Sequence, residues 1–135
     1  MVAKNQNERR ILLWTILLSS LIGTSIWYAR RLTSAPVAEW WTETVEMFGF
    51  FTNLTNLLII IMAAALLFAK GAIFRFFRSP VVQAACCLYI AFVGIGFWFI
   101  LGGPRNVDSW IFWIPEITAH TLSPILGVLF WLRCV

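Results

Sequence analysis

Charged residues are scarce in this sequence. Aspartate, glutamate, lysine and arginine make up 12% of its 135 residues, whereas hydrophobic residues make up 61%. Soluble domains typically carry about 25% charged residues, so the composition excludes an ordinary soluble domain. Strand-like alternation of polar and apolar residues is also absent, and lipid permits only helices or closed barrels to span it. The sequence therefore predicts an all-α integral membrane protein.

Histidine, cysteine and glycine do not form the patterns of the common cofactor sites. The single histidine, His120, excludes a haem held by two imidazoles. Cys86 and Cys87 are adjacent and Cys134 is distant, which is not a zinc-binding spacing. The LGGP run at 101–104 has the character of a turn and lacks the pattern of a phosphate-binding loop. We therefore expect no cofactor and no metal.

Four long apolar runs account for the hydrophobic excess. A helix needs about 20 residues to cross a bilayer, and runs of this length predict spans at 11–29, 48–69, 81–101 and 111–132. The connections between the runs are short. The chain is therefore predicted to form one transmembrane domain, residues 1–135, folded as a four-span helix bundle.

Basic residues predict how the bundle lies in the membrane. Seven fall on the side that holds both termini, and these are Lys4, Arg9, Arg10, Lys70, Arg75, Arg78 and Arg133. Three fall on the other side: Arg30, Arg31 and Arg105. The positive-inside rule then places both termini in the cytoplasm of a multi-pass cell-membrane protein. The same charges suit contact with anionic lipid headgroups, and nucleic acid is not expected as a partner.

Polar residues open the second apolar run. In FFTNLTNLL, residues 50–58, four of them take positions where leucine or isoleucine would suit lipid better: Thr52, Asn53, Thr55 and Asn56. On a helix their side chains fall within an arc of about 160°. Such residues are typical of helix packing in membranes, where buried asparagines hydrogen-bond across helices. Two hydroxyls and two amides so close together exceed what packing needs, so this face is also a candidate site.

The only histidine lies in the fourth run. His120 shares its helical face with Glu116 and Pro124. Pro124 has no N–H and its ring clashes with the His120 carbonyl, so we expect a kink that opens room beside the imidazole. A lone histidine can be a satisfied structural group, but an ionisable side chain inside a membrane more often has a function. At a rise of about 1.5 Å per residue, Thr52 and His120 are both expected in the outer half of the bilayer.

A hydroxyl opposite an imidazole is the smallest set of side-chain groups that can carry out nucleophilic acyl transfer. Thr52 is the candidate nucleophile, and His120 is the base that takes its proton. Glu116 is the candidate for orienting the imidazole, and Asn53 or Asn56 is the candidate donor to a developing oxyanion. A site within the bilayer favours a substrate that is already dissolved there, so we expect a lipid ester.

At these residues the chain resembles a predicted family of six-span bacterial membrane proteins related to the animal androgen-induced membrane hydrolases. The resemblance lies in FFTNLTNLL at 50–58 and in AHTLSPILGVLFWL at 119–132. The animal members are threonine hydrolases of fatty acid esters of hydroxy fatty acids, and they need one intramembrane threonine and one histidine. Carried to this sequence, the resemblance implies Thr52 and His120 as the catalytic residues.

The chain departs from that family in its number of spans. The sequence reaches WLRCV directly after the fourth apolar run, where the family continues through two more spans. We therefore expect either a fragment of a longer protein or a bundle that is completed by self-association. A polar face left open to lipid is costly, so the isolated four-span form is expected to be unstable or inactive.

Two functions of different classes follow from these residues. The first is an esterase that uses Thr52 and His120 on a lipid substrate. The second is a non-catalytic membrane protein that binds a small amphiphile or a protein partner through the same polar faces, which needs no activated hydroxyl. A transporter is less favoured, because the four spans show no inverted repeat and few intramembrane charges.

Overall fold

The structure of the protein is a computed structural model that describes residues 2–104 and 109–135. Arg105 and the side chain of Lys4, which contribute to the predicted orientation, lie outside this description. In the described residues all regular structure is helical. The all-α prediction is therefore confirmed for this part of the chain.

Seven α-helices follow one another in the residues that the structure describes. They are α1 (Val2–Thr33), α2 (Trp40–Gly49), α3 (Phe51–Phe68), α4 (Gly71–Arg78), α5 (Pro80–Ile95), α6 (Trp110–Ile117) and α7 (Ser123–Cys134). A short 3-10 turn, Val37–Glu39, precedes α2. Two π-helical turns are also present: Gly96–Ile100 extends α5, and Thr118–Leu122 joins α6 to α7.

Four of the resulting helical segments are long and apolar enough to cross a membrane. They are Gln6–Thr33, Phe51–Phe68, Pro80–Ile100 and Trp110–Cys134. Their number and order match the four apolar runs, so the predicted four-span bundle is confirmed. The protein is a multi-pass membrane protein by this criterion of length and composition.

The second span begins later than the sequence predicts. Residues 48–49 belong to the end of α2, and Phe50 is extended, with φ −74° and ψ 131°, before α3 begins at Phe51. Two hydrogen bonds stabilise the break. The Phe50 N–H and the Asn53 side-chain amide both donate to the Met47 carbonyl, at 3.3 and 2.9 Å. The predicted start at residue 48 is wrong because an asparagine side chain ends the preceding helix there.

The four spans form a closed ring of antiparallel neighbours. The helix α1 packs against α3 and α7, and α5 packs against the same two helices. Their shared interior is apolar and contains Ile16, Ile59, Ile90 and Phe130, each with no exposed surface. Glu8 and Arg133 form an ion pair of 2.5 Å, which places the two chain ends at one end of the bundle.

One buried polar contact joins the first and last spans. The hydroxyls of Ser20 and Ser123 are 2.7 Å apart and both residues are buried. Replacing Ser20 with alanine leaves the Ser123 hydroxyl without this partner, so we expect a loss of about 1 kcal/mol of unfolding free energy, measured in detergent–dodecyl sulfate mixtures. The double alanine variant is expected to lose less than the sum of the two single variants. Additive losses would show that the two hydroxyls contribute independently and would contradict the assigned contact.

Candidate functional site

The distortion predicted at Pro124 takes the form of a π turn. Thr118–Leu122 adopts the wider helical register, and the Ser123 N–H bonds to the Thr118 carbonyl, five residues earlier. This register makes room for the proline ring, which a regular α-helix would press against the carbonyl one turn back. In the same register the partner of a residue at 124 would be the Ala119 carbonyl, and proline has no N–H to offer it. His120 is thus carried on a turn that Pro124 forces open.

Asn56 of α3 contacts the Ala119 carbonyl, which has no backbone partner because residue 124 is a proline. Its side-chain nitrogen lies 2.9 Å from the Thr52 carbonyl and, in a longer contact, 3.5 Å from the Ala119 carbonyl. Asn56 is buried, and its side-chain oxygen has no partner in the described part of the chain. Because its two N–H groups point at carbonyls, Asn56 joins the two helices and is not placed to donate to an oxyanion.

A second π turn lies against the first. The Phe97 ring, from Gly96–Ile100, stacks on the His120 imidazole with ring centroids 3.8 Å apart and planes inclined by 11°. Beside it, the Trp98 indole N–H donates to the Thr121 hydroxyl at 2.9 Å. Single π turns inside α-helices often occur at functional sites. Here the two turns hold the imidazole in one orientation.

Glu116 contacts one nitrogen of the buried His120. The imidazole Nδ1 lies 3.2 Å from the Glu116 carbonyl oxygen and 3.4 Å from its carboxylate oxygen. Both acceptors favour the tautomer in which Nδ1 carries the proton and donates it to Glu116. The opposite nitrogen, Nε2, is then unprotonated and able to take a proton from a hydroxyl. Glu116 therefore lies against the Nδ1 edge of the imidazole.

Thr52 and His120 line a single cavity. It has a volume of about 230 Å³, and its other lining residues are Trp27, Arg31, Phe50 and Asn53. No hydrogen bond joins Thr52 to His120 directly among the described residues. Since a water occupies about 30 Å³, the cavity has room for several waters or for a small reacting group between the two side chains.

The other polar residues of the FFTNLTNLL segment have local roles. The Thr55 hydroxyl donates to the Phe51 carbonyl at 2.5 Å and is buried, so it does not reach the cavity as a nucleophile. Asn53 lines the cavity while one of its N–H groups donates to the Met47 carbonyl. Its second N–H is left for a group in the cavity. Of the two predicted oxyanion donors, Asn53 is therefore the one that lies at the cavity.

Arg31 lines the cavity, whereas the sequence indicates only its contribution to the orientation of the bundle. Its guanidinium binds Glu43 at 2.5 Å and Glu46 at 2.8 Å, both from α2, and it also lines the cavity. The signal in the sequence is the spacing of Glu43 and Glu46, three residues apart, which puts both carboxylates on one face of a helix. This signal depends on α2 being a helix, which the sequence does not predict.

A larger apolar cavity also has His120 in its wall. Its volume is about 380 Å³, it lies between α5 and α7, and almost all of its surface is hydrocarbon. Its wall also contains Gly94, Trp98, Thr121 and Pro124. His120 is therefore in contact with two spaces, one with polar residues in its wall and one suited to a hydrocarbon chain.

Comparisons with protein-family models, with curated proteins and with solved structures give no match to this chain. A function is therefore inferred from the site itself.

Proposed function

We propose that this protein is an intramembrane threonine hydrolase that cleaves a lipid ester. The observation that carries the proposal is that Thr52 and His120 line one cavity and that Glu116 contacts the imidazole Nδ1 of His120. A nucleophile, a base and a group that orients the base are the three parts of a hydrolytic triad. The resemblance to the androgen-induced hydrolases implies the same threonine and histidine.

The reaction begins when His120 Nε2 takes the hydroxyl proton of Thr52. The threonine oxygen then attacks the ester carbonyl carbon, and the carbonyl oxygen becomes an oxyanion that accepts a hydrogen bond from the free Asn53 N–H. Collapse of this intermediate breaks the bond to the alcohol, which leaves with the proton held by His120. A water, deprotonated by the same Nε2, attacks the acyl-threonine and releases the fatty acid. The proton on Nε2 passes to the threonine oxygen as its acyl bond breaks, which restores the threonine hydroxyl and the unprotonated Nε2.

The proposed substrate is a membrane-dissolved ester because both cavities are set within the spans. The apolar cavity between α5 and α7 offers a hydrocarbon wall of Ile95, Ile125, Val128 and Leu129 beyond His120. An acyl chain in this cavity leaves its carbonyl end near the imidazole. Apolar walls with a few polar groups are typical of sites that orient such ligands.

We further propose that the protein lies in the cell membrane with both termini in the cytoplasm. The described basic residues at the end of the bundle that holds the termini are Arg9, Arg10, Lys70, Arg75, Arg78 and Arg133. Arg30 and Arg31 lie at the other end of α1. The positive-inside rule supports this orientation, and it puts the Thr52 cavity in the outer half of the bilayer.

The second candidate function is binding of a small amphiphile without catalysis. The observation that favours it is the size of the apolar cavity, about 380 Å³, which exceeds that of the cavity shared by Thr52 and His120. In this function His120 and Thr121 hydrogen-bond the polar head of the ligand. No activated hydroxyl is needed.

Labelling with a hydroxyl-reactive fluorophosphonate separates the two functions. We expect the membrane-embedded protein to be labelled at Thr52, with the adduct located by mass spectrometry, because only an activated threonine attacks such a probe at a useful rate. Thr52→Ala and His120→Ala are expected to abolish labelling. Thr55→Ala is the matched control, since the Thr55 hydroxyl is bound to the Phe51 carbonyl, and it should label as the wild type does. Labelling that survives both changes would overturn the proposed site, and folded protein without labelling would favour amphiphile binding.

A further inference from the structure

A third cavity lies at the end of the bundle that holds the chain termini. It has a volume of about 200 Å³ and is formed by the start of α1, the end of α3 and the short helix α4. At about 1.5 Å of rise per residue, roughly 20 Å of α3 separate Thr52 from Leu66 in its wall. It is therefore remote from the proposed hydrolytic site.

Three arginines line this cavity. They are Arg9, Arg10 and Arg78, and Gln6 lies beside them. Arg9 is positioned by a 3.3 Å hydrogen bond to the buried Gln83 and lies 5.8 Å from the centre of the Phe130 ring. Three like charges around one small space repel one another unless an anion enters it.

The described part of the chain supplies no carboxylate to neutralise these arginines. Glu8 is the acidic residue nearest to them in sequence, and its carboxylate binds Arg133, at 2.5 Å. Glu43 and Glu46 bind Arg31, and Glu116 contacts His120, in the other half of the bundle. The cavity thus keeps an excess of positive charge that fits an external anion.

The remaining walls of the cavity are hydrocarbon. Leu13, Leu66, Leu67 and Phe74 line it together with the arginines. The helix α4 exposes Ile73 and Phe76 and carries Arg75 and Arg78 in its last turn. Short helices with this composition lie in the headgroup region of a bilayer. A ligand at this depth that meets both arginines and leucines has an anionic head and an apolar tail.

We propose that this cavity binds the phosphate of an anionic phospholipid. Arg9, Arg10 and Arg78 hold the phosphate oxygens, for which the planar guanidinium is well matched. One acyl chain lies against Leu66, Leu67 and Phe74. Bound lipid then joins α1, α3 and α4 at the membrane surface. This binding does not depend on the proposed hydrolysis.

Native mass spectrometry of the full chain in detergent tests the site, with phosphatidylglycerol and phosphatidylcholine of identical chains as probes. We expect phosphatidylglycerol to be retained in preference to phosphatidylcholine. Arg10→Gln and Arg78→Gln should each lower the phosphatidylglycerol affinity about fivefold, which is the usual contribution of one basic residue near a membrane surface. The matched control is Arg75→Gln, which removes the same charge from α4 outside the cavity, and it should change the affinity less than twofold.

Three results would overturn the proposal. Equal losses in Arg75→Gln and Arg78→Gln would show a general effect of net charge. Equal retention of the two lipids, which both carry a phosphate, would show that the cavity does not select a headgroup with a net negative charge. Displacement of phosphatidylglycerol by the same concentration of glycerol phosphate would assign the arginines to a soluble phosphate. Arg10→Lys keeps the charge but not the planar guanidinium, so it should bind phosphatidylglycerol more tightly than Arg10→Gln and less tightly than the wild type.

Discussion

Replacing His120 with alanine is expected to lower the hydrolysis of a lipid ester by about 100- to 10,000-fold, which is the usual contribution of a positioned general base. The physical reason is that a threonine hydroxyl is a weak nucleophile until a neighbouring base takes its proton. The measurement is the release of fatty acid from a chromogenic ester dissolved in mixed micelles with the purified protein.

A second substitution separates loss of the base from loss of packing. His120→Phe keeps a ring against Phe97, whose centroid lies 3.8 Å from that of the imidazole, but it has no nitrogen to accept a proton. We expect this variant to remain folded and to be as inactive as His120→Ala. Hydrolysis at near wild-type rates in the folded His120→Phe variant would exclude His120 as the base.

Adding a single methyl group at Gly94 is expected to destabilise the bundle by about 1–3 kcal/mol, the usual cost of overpacking. A Cβ atom at Gly94 would lie 2.8 Å from Pro124 Cβ, 2.9 Å from Pro124 Cγ and 3.3 Å from the His120 carbonyl oxygen. The proline ring and the π turn are both rigid, so α5 and α7 must move apart. The measurement is the unfolding free energy of Gly94→Ala in detergent–dodecyl sulfate mixtures.

The matched control for Gly94→Ala is Gly96→Ala, two residues along the same span. A Cβ atom at Gly96 would meet nothing within 4 Å, and Gly96 has helical dihedral angles. Alanine is a better helix former than glycine, so Gly96→Ala is expected to be at least as stable as the wild type. Equal stability of the two variants would contradict the close approach of α5 to Pro124.

The sequence predicts the spans well because hydropathy follows the cost of placing each side chain in lipid. It does not predict α2, Trp40–Gly49. Glu43 and Glu46 interrupt its apolar pattern. Both carboxylates form ion pairs with Arg31 of α1. A contact between helices distant in sequence has no local signal. For the same reason the place of Arg31 at the cavity came from the structure alone.

The sequence identifies candidate residues for the site. Thr52, His120, Glu116 and Asn53 are candidates because polar side chains are costly to place in a bilayer. Asn56 is a candidate for the same reason, but its amide contacts the Ala119 carbonyl. Pro124 gives the position of the helix distortion in the sequence. It does not give the form of the distortion, since a π turn and a sharp kink both relieve the same clash. The Ala119 carbonyl lacks a backbone partner because of the π turn. Its contact with Asn56 is therefore not predictable from the sequence.

Cross-linking between positions 52 and 120 tests most directly whether the two proposed catalytic side chains share one cavity. Thr52→Cys and His120→Cys are combined in a chain whose cysteines, Cys86, Cys87 and Cys134, are replaced by alanine. The product of a short bifunctional thiol reagent is then identified by mass spectrometry. We expect efficient cross-linking of this pair and none for the control pair Leu54→Cys and His120→Cys, because Leu54 is exposed on the outside of α3. Failure of the 52–120 pair to cross-link in folded protein, or equal yields for the two pairs, would contradict the shared cavity and the hydrolase that depends on it.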